Sequence, residues 1–181
     1  MEHDEQLLLA VLNSAPVLDG ERHDQLEGVE AETFTRAWGG TGSEVEAATL
    51  RQARGALHAV IRSSDPAALE VLSGIVTDVA KTPTVTRDGL SWELQSPADV
   101  RLAAQVVCAW SEVVRRLPGR LRACANEQCN LFLIDHSRPG TARWCSMAAC
   151  GNRAKARSFA ARSRAETQTR GSTTPSAART Q

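Results

Sequence analysis

Apolar residues recur at every third or fourth position over most of residues 43–117, which predicts a helical fold for this part of the chain. Ser43 and Glu46 have the spacing of a capping box, so a helix is predicted to begin there and to run to about Arg62. Its predicted core positions are Val45, Ala48, Ala53, Leu57 and Val60.

Two further helices are predicted to begin at proline-containing sites. The first begins at 65–66, where an N-cap aspartate precedes a proline, and the second runs from 96–97 to Leu117. Cys108 lies beside the apolar face of the second helix and is expected to be a small core residue. The predicted buried stripes are Leu69, Leu72, Ile75, Val76 and Val79 in the first helix, and Val100, Ala103, Val107, Trp110, Val114 and Leu117 in the second.

Two segments have a different pattern. Residues 5–14 contain consecutive apolar residues that fit either a short helix or a buried strand. In residues 84–94, β-branched and aromatic residues flank Asp88-Gly89, a pair that favours a two-residue hairpin turn. One β-hairpin is therefore predicted inside a mostly helical region.

Charge divides the chain more sharply than hydropathy does. Residues 1–119 carry 10 Lys and Arg against 18 Asp and Glu, whereas residues 120–164 carry 9 against 2. An acidic body joined to a basic module is expected when one end of a protein meets a polyanion. A basic surface that is merely solvated is the alternative.

The N-terminus has neither the basic start nor the apolar length of a secretory signal, and no stretch reaches membrane length. We therefore expect no membrane partner and a cytoplasmic location, associated with the bacterial nucleoid when the protein is bound to DNA. In a reducing compartment, clustered cysteines favour a metal over a disulfide.

Four cysteines form two identical pairs with the spacing C-x4-C-x15-C-x4-C. Tetrahedral Zn²⁺ prefers four soft donors, so one structural zinc ion is predicted, with no open position for hydrolytic catalysis. We expect no enzyme activity. A disulfide, a redox pair and a thiol nucleophile assisted by His136 are alternatives, and each explains the symmetric pairs less well. His136 could also replace one zinc ligand, although a loop histidine is more often solvated. The predicted zinc ligands are Cys124, Cys129, Cys145 and Cys150.

The residues around the cysteines predict how the two pairs meet. Residues 131–134 read as a strand, 139–140 as a turn and 143–144 as a returning strand. Gly151 is expected to have a positive φ or a close backbone approach, and Asn152 is predicted to be the N-cap of a helix that runs to about 164. The predicted nucleic-acid contacts are Arg120, Arg122, Arg138, Arg143, Arg153, Lys155, Arg157, Arg162 and Arg164.

The stretches RACANEQC, FLIDHSR and RWCSMAACGNRAK resemble the CGNR-type zinc finger, which is named for the run at 150–153. The resemblance covers about residues 117–162. It implies an acidic, α-rich N-terminal domain of the ABATE type and a place among proteins described as stress-induced transcription regulators. The segment VLNS at 11–14 stands where that domain has an Asp-Phe-x-Asn-Thr-like segment, without the Asp and Phe.

The predicted fold class is α+β, predominantly α, with an ABATE-like regulatory domain at 1–117, a zinc finger with a basic helix at 118–165 and a disordered tail at 166–181. The predicted function is a DNA-binding transcriptional regulator whose N-terminal domain senses a small-molecule effector or forms a homodimer. RNA stays open as the nucleic acid. The alternative is a protein-interaction adaptor whose basic finger docks an acidic partner or is masked by its own acidic domain.

Overall fold

The structure is a computed structural model that describes residues 2–18 and 20–171, without the side chains of residues 2 and 165–171. The predicted α+β, mainly α fold class is confirmed. No helix in the described ranges is both long and apolar enough to cross a membrane. The elements are α1 Glu2–Leu12, β1 Val17–Leu18, β2 Glu21–Arg22, α2 Gly28–Ala37, α3 Glu44–Ser63, α4 Pro66–Val76, β3 Ala80–Thr86, β4 Gly89–Gln95, α5 Arg101–Arg116, β5 Leu121–Ala123, β6 Phe132–Ile134 and α6 Asn152–Gly171, with a 3-10 turn at Ala98–Val100 and a π-helical turn at Met147–Gly151.

Helix α3 lies at the centre of the helical body, which we define as α1 to α5. It contacts α1, α2, α4 and α5, and it buries Leu50 and Leu57 completely. The predicted start of α3 is confirmed, because the Ser43 hydroxyl accepts a hydrogen bond of 3.0 Å from the Glu46 N–H. Segment 5–14 is resolved as helix α1, whose leucines enter the same core.

The buried face of α3 differs from the predicted one. Val45 is 63 % exposed and Ala48 is exposed. The two residues between them, Glu46 and Ala47, are fully buried. The reason is that the Glu46 carboxylate turns inward and accepts hydrogen bonds from the N–H groups of Thr41 (2.8 Å) and Gly42 (3.1 Å). A polar capping contact therefore sets the rotation of this helix, and apolar periodicity does not reveal it.

Two other predicted core positions are also wrong. Leu69 of α4 is 43 % exposed and Val114 of α5 is 45 % exposed. In both helices the residue immediately before is buried instead, Ala68 in α4 and Val113 in α5. In α4 the stripe read from large residues missed a small side chain that allows close helix packing, whereas in α5 two adjacent valines left the rotation of the helix undetermined.

The predicted β-hairpin is present as β3 and β4, with its turn one residue earlier than expected. Thr86 pairs with Gly89, so the turn residues are Arg87 and Asp88, and Gly89 begins β4 with a φ of 115°. Val85 and Trp92 are 83 % and 58 % exposed, so the hairpin extends away from the core.

Strand β6 joins the C-terminal segment to the helical body. It pairs antiparallel with β5, and its three residues are buried. Phe132 and Ile134 belong to the same hydrophobic cluster as the helices. Apolar packing therefore crosses the domain boundary predicted at 117–118. The division of the chain into separate domains stays a prediction.

Helix α6 continues to Gly171, beyond the predicted end near Arg164 and into the predicted tail. The rest of that tail, 172–181, lies outside the described residues.

Candidate metal centre

The sulfur atoms of the four paired cysteines meet at one point. The Sγ atoms of Cys124, Cys129, Cys145 and Cys150 all lie within 4.8 Å of one another. The Cys129–Cys145 and Cys145–Cys150 separations are 3.7 and 3.8 Å. A tetrahedral zinc ion with Zn–S bonds of about 2.3 Å requires sulfurs about 3.8 Å apart. The cluster therefore has the size of a zinc site.

Residues 124–129 form the first half of the cluster as a tight turn after β5. The N–H of Cys124 donates to the Leu131 carbonyl and the N–H of Cys129 donates to the Asn126 carbonyl, both at 2.8 Å. This turn connects β5 directly to β6. Strand β6 pairs with β5, which precedes it in the chain, so the returning strand predicted at 143–144 is wrong. The Arg143 carbonyl instead accepts one backbone hydrogen bond from the Ala125 N–H.

The π-helical turn supplies the second half of the cluster. Ser146 caps it, since its hydroxyl accepts from the Ala149 N–H at 3.4 Å and its carbonyl accepts from the Gly151 N–H at 3.0 Å. Asn152 is therefore already helical, with φ −68°, and its side chain donates to the Ala148 carbonyl at 3.1 Å. The predicted N-cap role of Asn152 is wrong, because Ser146 starts the helical geometry earlier.

Gly151 is closely approached by two side chains. It is not among the glycines with positive φ in the described chain. A Cβ atom at this position would lie 2.8 Å from the sulfur of Met147 and 3.4 Å from the Trp144 ring. The positive φ is therefore wrong, and the close approach is made by side chains; because the end of Met147 is flexible and exposed, the contact favours glycine without requiring it.

Burial raises the pKa of two of the four thiols when no cation is present. Burial, followed by the hydrogen bonds among the sulfurs, raises the pKa of Cys145 well above its usual range, and burial raises the pKa of Cys129. Burial alone would also raise the pKa of Cys150, but hydrogen bonds from Asn126 and the other thiols outweigh it and lower the value. Four thiolates at this spacing need a metal cation to exist together.

Residues 120–163 match the family model of the CGNR zinc finger. No curated protein matches this chain. The family match and the sulfur geometry agree, and the four cysteines hold one structural zinc ion. All four coordination positions are then filled by sulfur, so zinc would supply folding free energy and not an activated water molecule.

Asn126 connects the zinc site to the basic helix. It is 1 % exposed, and its side-chain N–H lies 3.5 Å from the Cys150 sulfur. Its carbonyl oxygen accepts from the Arg157 guanidinium at 2.9 Å. Sequence reasoning missed Asn126; its position inside a cysteine turn, where an amide can reach a thiolate, was the available indication.

Asp135 holds the loop between the two cysteine pairs. It is 2 % exposed and accepts from the hydroxyl of Ser137 at 2.6 Å and from the Ala142 N–H at 2.9 Å. The Ser137 hydroxyl bond is the largest cause of a lowered Asp135 pKa. Arg122 donates to the same carboxylate at 3.1 Å, and Arg120 lies 3.7 Å from it.

These contacts separate the nine predicted nucleic-acid residues into two groups. Arg120 and Arg122 are half-buried, and they also donate to the carbonyls of Ser137 and Gly140 respectively, so they brace the zinc finger from within. The other seven side chains are exposed: Arg138, Arg143, Arg153, Lys155, Arg157, Arg162 and Arg164. Contact of any of the nine with nucleic acid stays a prediction.

His136 stays outside the zinc cluster. Its Nε2 lies 2.9 Å from the Glu5 carboxylate of α1, and the side chain is 60 % exposed. It pairs with the helical body and is neither a metal ligand nor a base beside a cysteine nucleophile.

A pair of asparagines fastens the zinc finger to the helical body. The Asn13 side chain accepts from the Phe132 N–H at 2.7 Å and donates to the Phe132 carbonyl at 3.2 Å. Asn130 of the finger binds the body in the same way: its side chain donates to the Ala15 carbonyl at 2.6 Å and accepts from the Val17 N–H at 3.1 Å. Neither contact was predicted from the sequence, since the VLNS segment lacks the Asp and Phe of the family pattern and assigned no role to Asn13.

Proposed function

We propose that this chain is a DNA-binding transcriptional regulator whose zinc finger presents helix α6 and the neighbouring loops to phosphate groups. The observation that carries the proposal is the outward orientation of the seven exposed basic side chains. Within the described ranges none of them forms an ion pair with an acidic residue. Unneutralised cations gathered on one module favour a polyanionic partner.

The zinc ion does not cancel this positive charge. Residues 120–164 carry 9 Lys and Arg against 2 Asp and Glu, a net of +7. Zn²⁺ with four thiolates adds −2, which leaves +5. If about five phosphates are neutralised, the logarithm of the binding constant should fall with the logarithm of the salt concentration with a slope of roughly −4.5.

Helix α6 has the properties of a helix that meets a partner outside its own protein. Its basic residues lie on more than one side, and Phe159 is 67 % exposed. Its N-terminus is fixed to the zinc site through Asn126 and Arg157. A helix oriented by a metal centre, with exposed basic side chains over 153–164, is a common way to enter a DNA groove.

The contacts at the junction favour an accessible finger over self-masking. The acidic body meets the finger through Asn13, Asn130 and the apolar Phe132, on the side of β6. The ionisable side chains that meet there are His136 with Glu5, and Arg62 with the Asn130 carbonyl and the Phe132 ring; none of the seven exposed basic residues takes part. These contacts do not support masking of the finger by its own acidic domain. Docking of an acidic protein partner stays as the alternative and is an outcome of the test.

The test uses the full chain loaded with zinc and a random-sequence duplex at about 50 mM salt, where phosphate contacts are strong. We expect a mobility shift that weakens steeply as salt is raised and disappears after chelation of zinc. No shift at this salt concentration contradicts DNA binding and favours the adaptor. A parallel measurement with single-stranded and duplex RNA separates the two nucleic acids.

A regulator further requires sequence preference and a promoter response. Selection of bound duplexes from a random pool should enrich a short motif, because arginines such as Arg153 are suited to reading guanine edges. An unenriched pool together with salt-dependent binding would leave a nonspecific DNA-binding protein and contradict the regulatory part of the proposal.

A further inference from the structure

A concave pocket of about 410 Å³ lies where the helical body meets the zinc finger. Three arginines, Arg22, Arg51 and Arg54, line it together with His58, and Asn130 contributes from the zinc finger. Asn130 is the same residue that ties the finger to the segment after α1. An occupant of this pocket would contact both halves of the protein.

The pocket concentrates positive charge in an acidic body. Residues 1–119 contain only 10 Lys and Arg against 18 Asp and Glu, and three of the ten line this pocket. A fourth, Arg62, lies 4.8 Å from the Phe132 ring, which in turn stacks 4.4 Å from His58. Burial, and then the charges of Arg54, Arg62 and Arg22, lowers the pKa of His58, as expected for a locally positive environment.

Asp24 neutralises only part of this charge. It is 5 % exposed and takes two hydrogen bonds from Arg54, at 2.7 and 2.6 Å, and one from Arg22 at 2.6 Å. Arg51 donates to the Leu26 carbonyl and to Glu44, whose side chain is 69 % exposed. Arg22 and Arg51 therefore have more N–H donors than these bonds use.

Gly55 keeps one wall of the pocket open. It lies in the middle of α3, where glycine costs about 0.5–1 kcal/mol relative to alanine. Its φ is not positive, and a Cβ atom there would meet nothing within 4 Å. Neither backbone strain nor packing explains this glycine, whereas a bound molecule against the helix would.

We propose that this pocket binds a small anion through a phosphate or carboxylate group, held by Arg22 and Arg51 against Gly55 and Asn130. Two guanidiniums that line the same pocket are suited to the paired oxygens of either group. Arg54 is a positioning residue, because Asp24 fixes it in place. The proposal does not depend on DNA binding, since its residues lie apart from the seven exposed basic side chains.

The test follows backbone amide resonances of the zinc-loaded full chain during titration with inorganic phosphate and, separately, with acetate, at constant ionic strength and without DNA. We expect saturable shifts at Ala15, Gly55 and His58 with at least one anion. Arg22→Gln and Arg51→Gln should each weaken binding about tenfold or more, as loss of a charged hydrogen bond requires.

Arg36→Gln is the matched control, because Arg36 is a 62 % exposed arginine of the body that pairs with Glu32 away from the pocket. It should leave anion affinity unchanged. Gly55→Leu provides an independent variant that fills the open wall and should abolish the shifts without removing any charge. Shifts confined to α6, no saturable shifts with either anion, or equal affinity in the pocket and control variants would overturn the proposal.

Discussion

The helical body buries leucine, valine and alanine side chains from several helices, whereas the zinc finger buries one three-residue strand and closes around four sulfur atoms. The body is stabilised by the amount of apolar surface that it removes from water. The finger depends on a metal and on a few polar contacts, because its apolar content is small. Their junction combines both, with Phe132 in the common core and two asparagines binding backbone across it.

The largest difference between the two regions should appear when zinc is lost. Cys150→Ala should leave the helical body folded, and it should release the zinc ion and unfold the finger, since structural zinc contributes about 10–16 kcal/mol in small zinc-binding peptides. Zinc content per chain measures this, and the near-ultraviolet circular dichroism should lose the contribution of Trp144, one of four tryptophans. Cys108→Ala is the control and should retain one zinc ion, because Cys108 lies on α5 outside the cluster. A Cys150→Ala protein with full zinc content would contradict the four-cysteine site.

The next largest effect tests whether the finger is part of the body's core. Phe132→Ala should lower the free energy of unfolding by about 3–5 kcal/mol, because it empties a site that is 2 % exposed. Phe159→Ala removes the same side chain from an exposed position on α6 and should change stability by less than about 0.5 kcal/mol. Urea unfolding of both variants measures the contrast. Similar losses in the two would mean that the finger is not anchored through β6.

A smaller loss is expected from the polar part of the junction. Asn13→Ala removes both partners of the Phe132 backbone groups and should cost about 1–3 kcal/mol, the usual penalty for unsatisfied buried polar atoms. Hydrogen exchange of the Phe132 amide should accelerate in the same variant. Asn152→Ala is the matched control, since Asn152 is exposed and its side chain bonds to the Ala148 carbonyl in the adjoining π-helical turn. Unchanged exchange at Phe132 would show that Asn13 does not hold the junction.

The smallest effect on stability should accompany a clear effect on binding. Arg162→Gln removes one exposed charge from α6 and should reduce the salt slope of DNA affinity by about 0.9, with stability unchanged. Arg87→Gln, on the exposed hairpin of the body, should alter neither quantity. Fluorescence anisotropy over a salt series measures the slope. Equal slopes for Arg162→Gln and the unaltered chain would show that Arg162 does not contact phosphate.

Local chemistry in the sequence was sufficient for several features. Ser43 and Asp65 begin their helices as predicted, because a side-chain cap depends on residues three or fewer positions away. The cysteine spacing also identified the zinc site before any coordinates, since metal geometry restricts which residues can serve as ligands.

Other features depend on residues far apart in the chain. Arg120 and Arg122 appear in the sequence as further members of a basic module, yet the fold turns them onto Asp135. Glu46 likewise points inward because the N–H groups of the 41–42 loop lie close to its carboxylate. The apolar periodicity of the helix does not predict this contact. A charge count cannot distinguish a bracing arginine from an exposed one.

The sequence alone determined the helical class, the zinc ligands and the separation of acidic and basic halves, because each follows from short-range spacing or composition. Only the tertiary structure decided that β6 enters the helical core, that Asn13 and Asn130 fasten the two parts, and that arginines from separate elements surround one pocket. Those contacts join positions up to 119 residues apart, as for Asn13 and Phe132, and such pairs become neighbours only when the chain has folded.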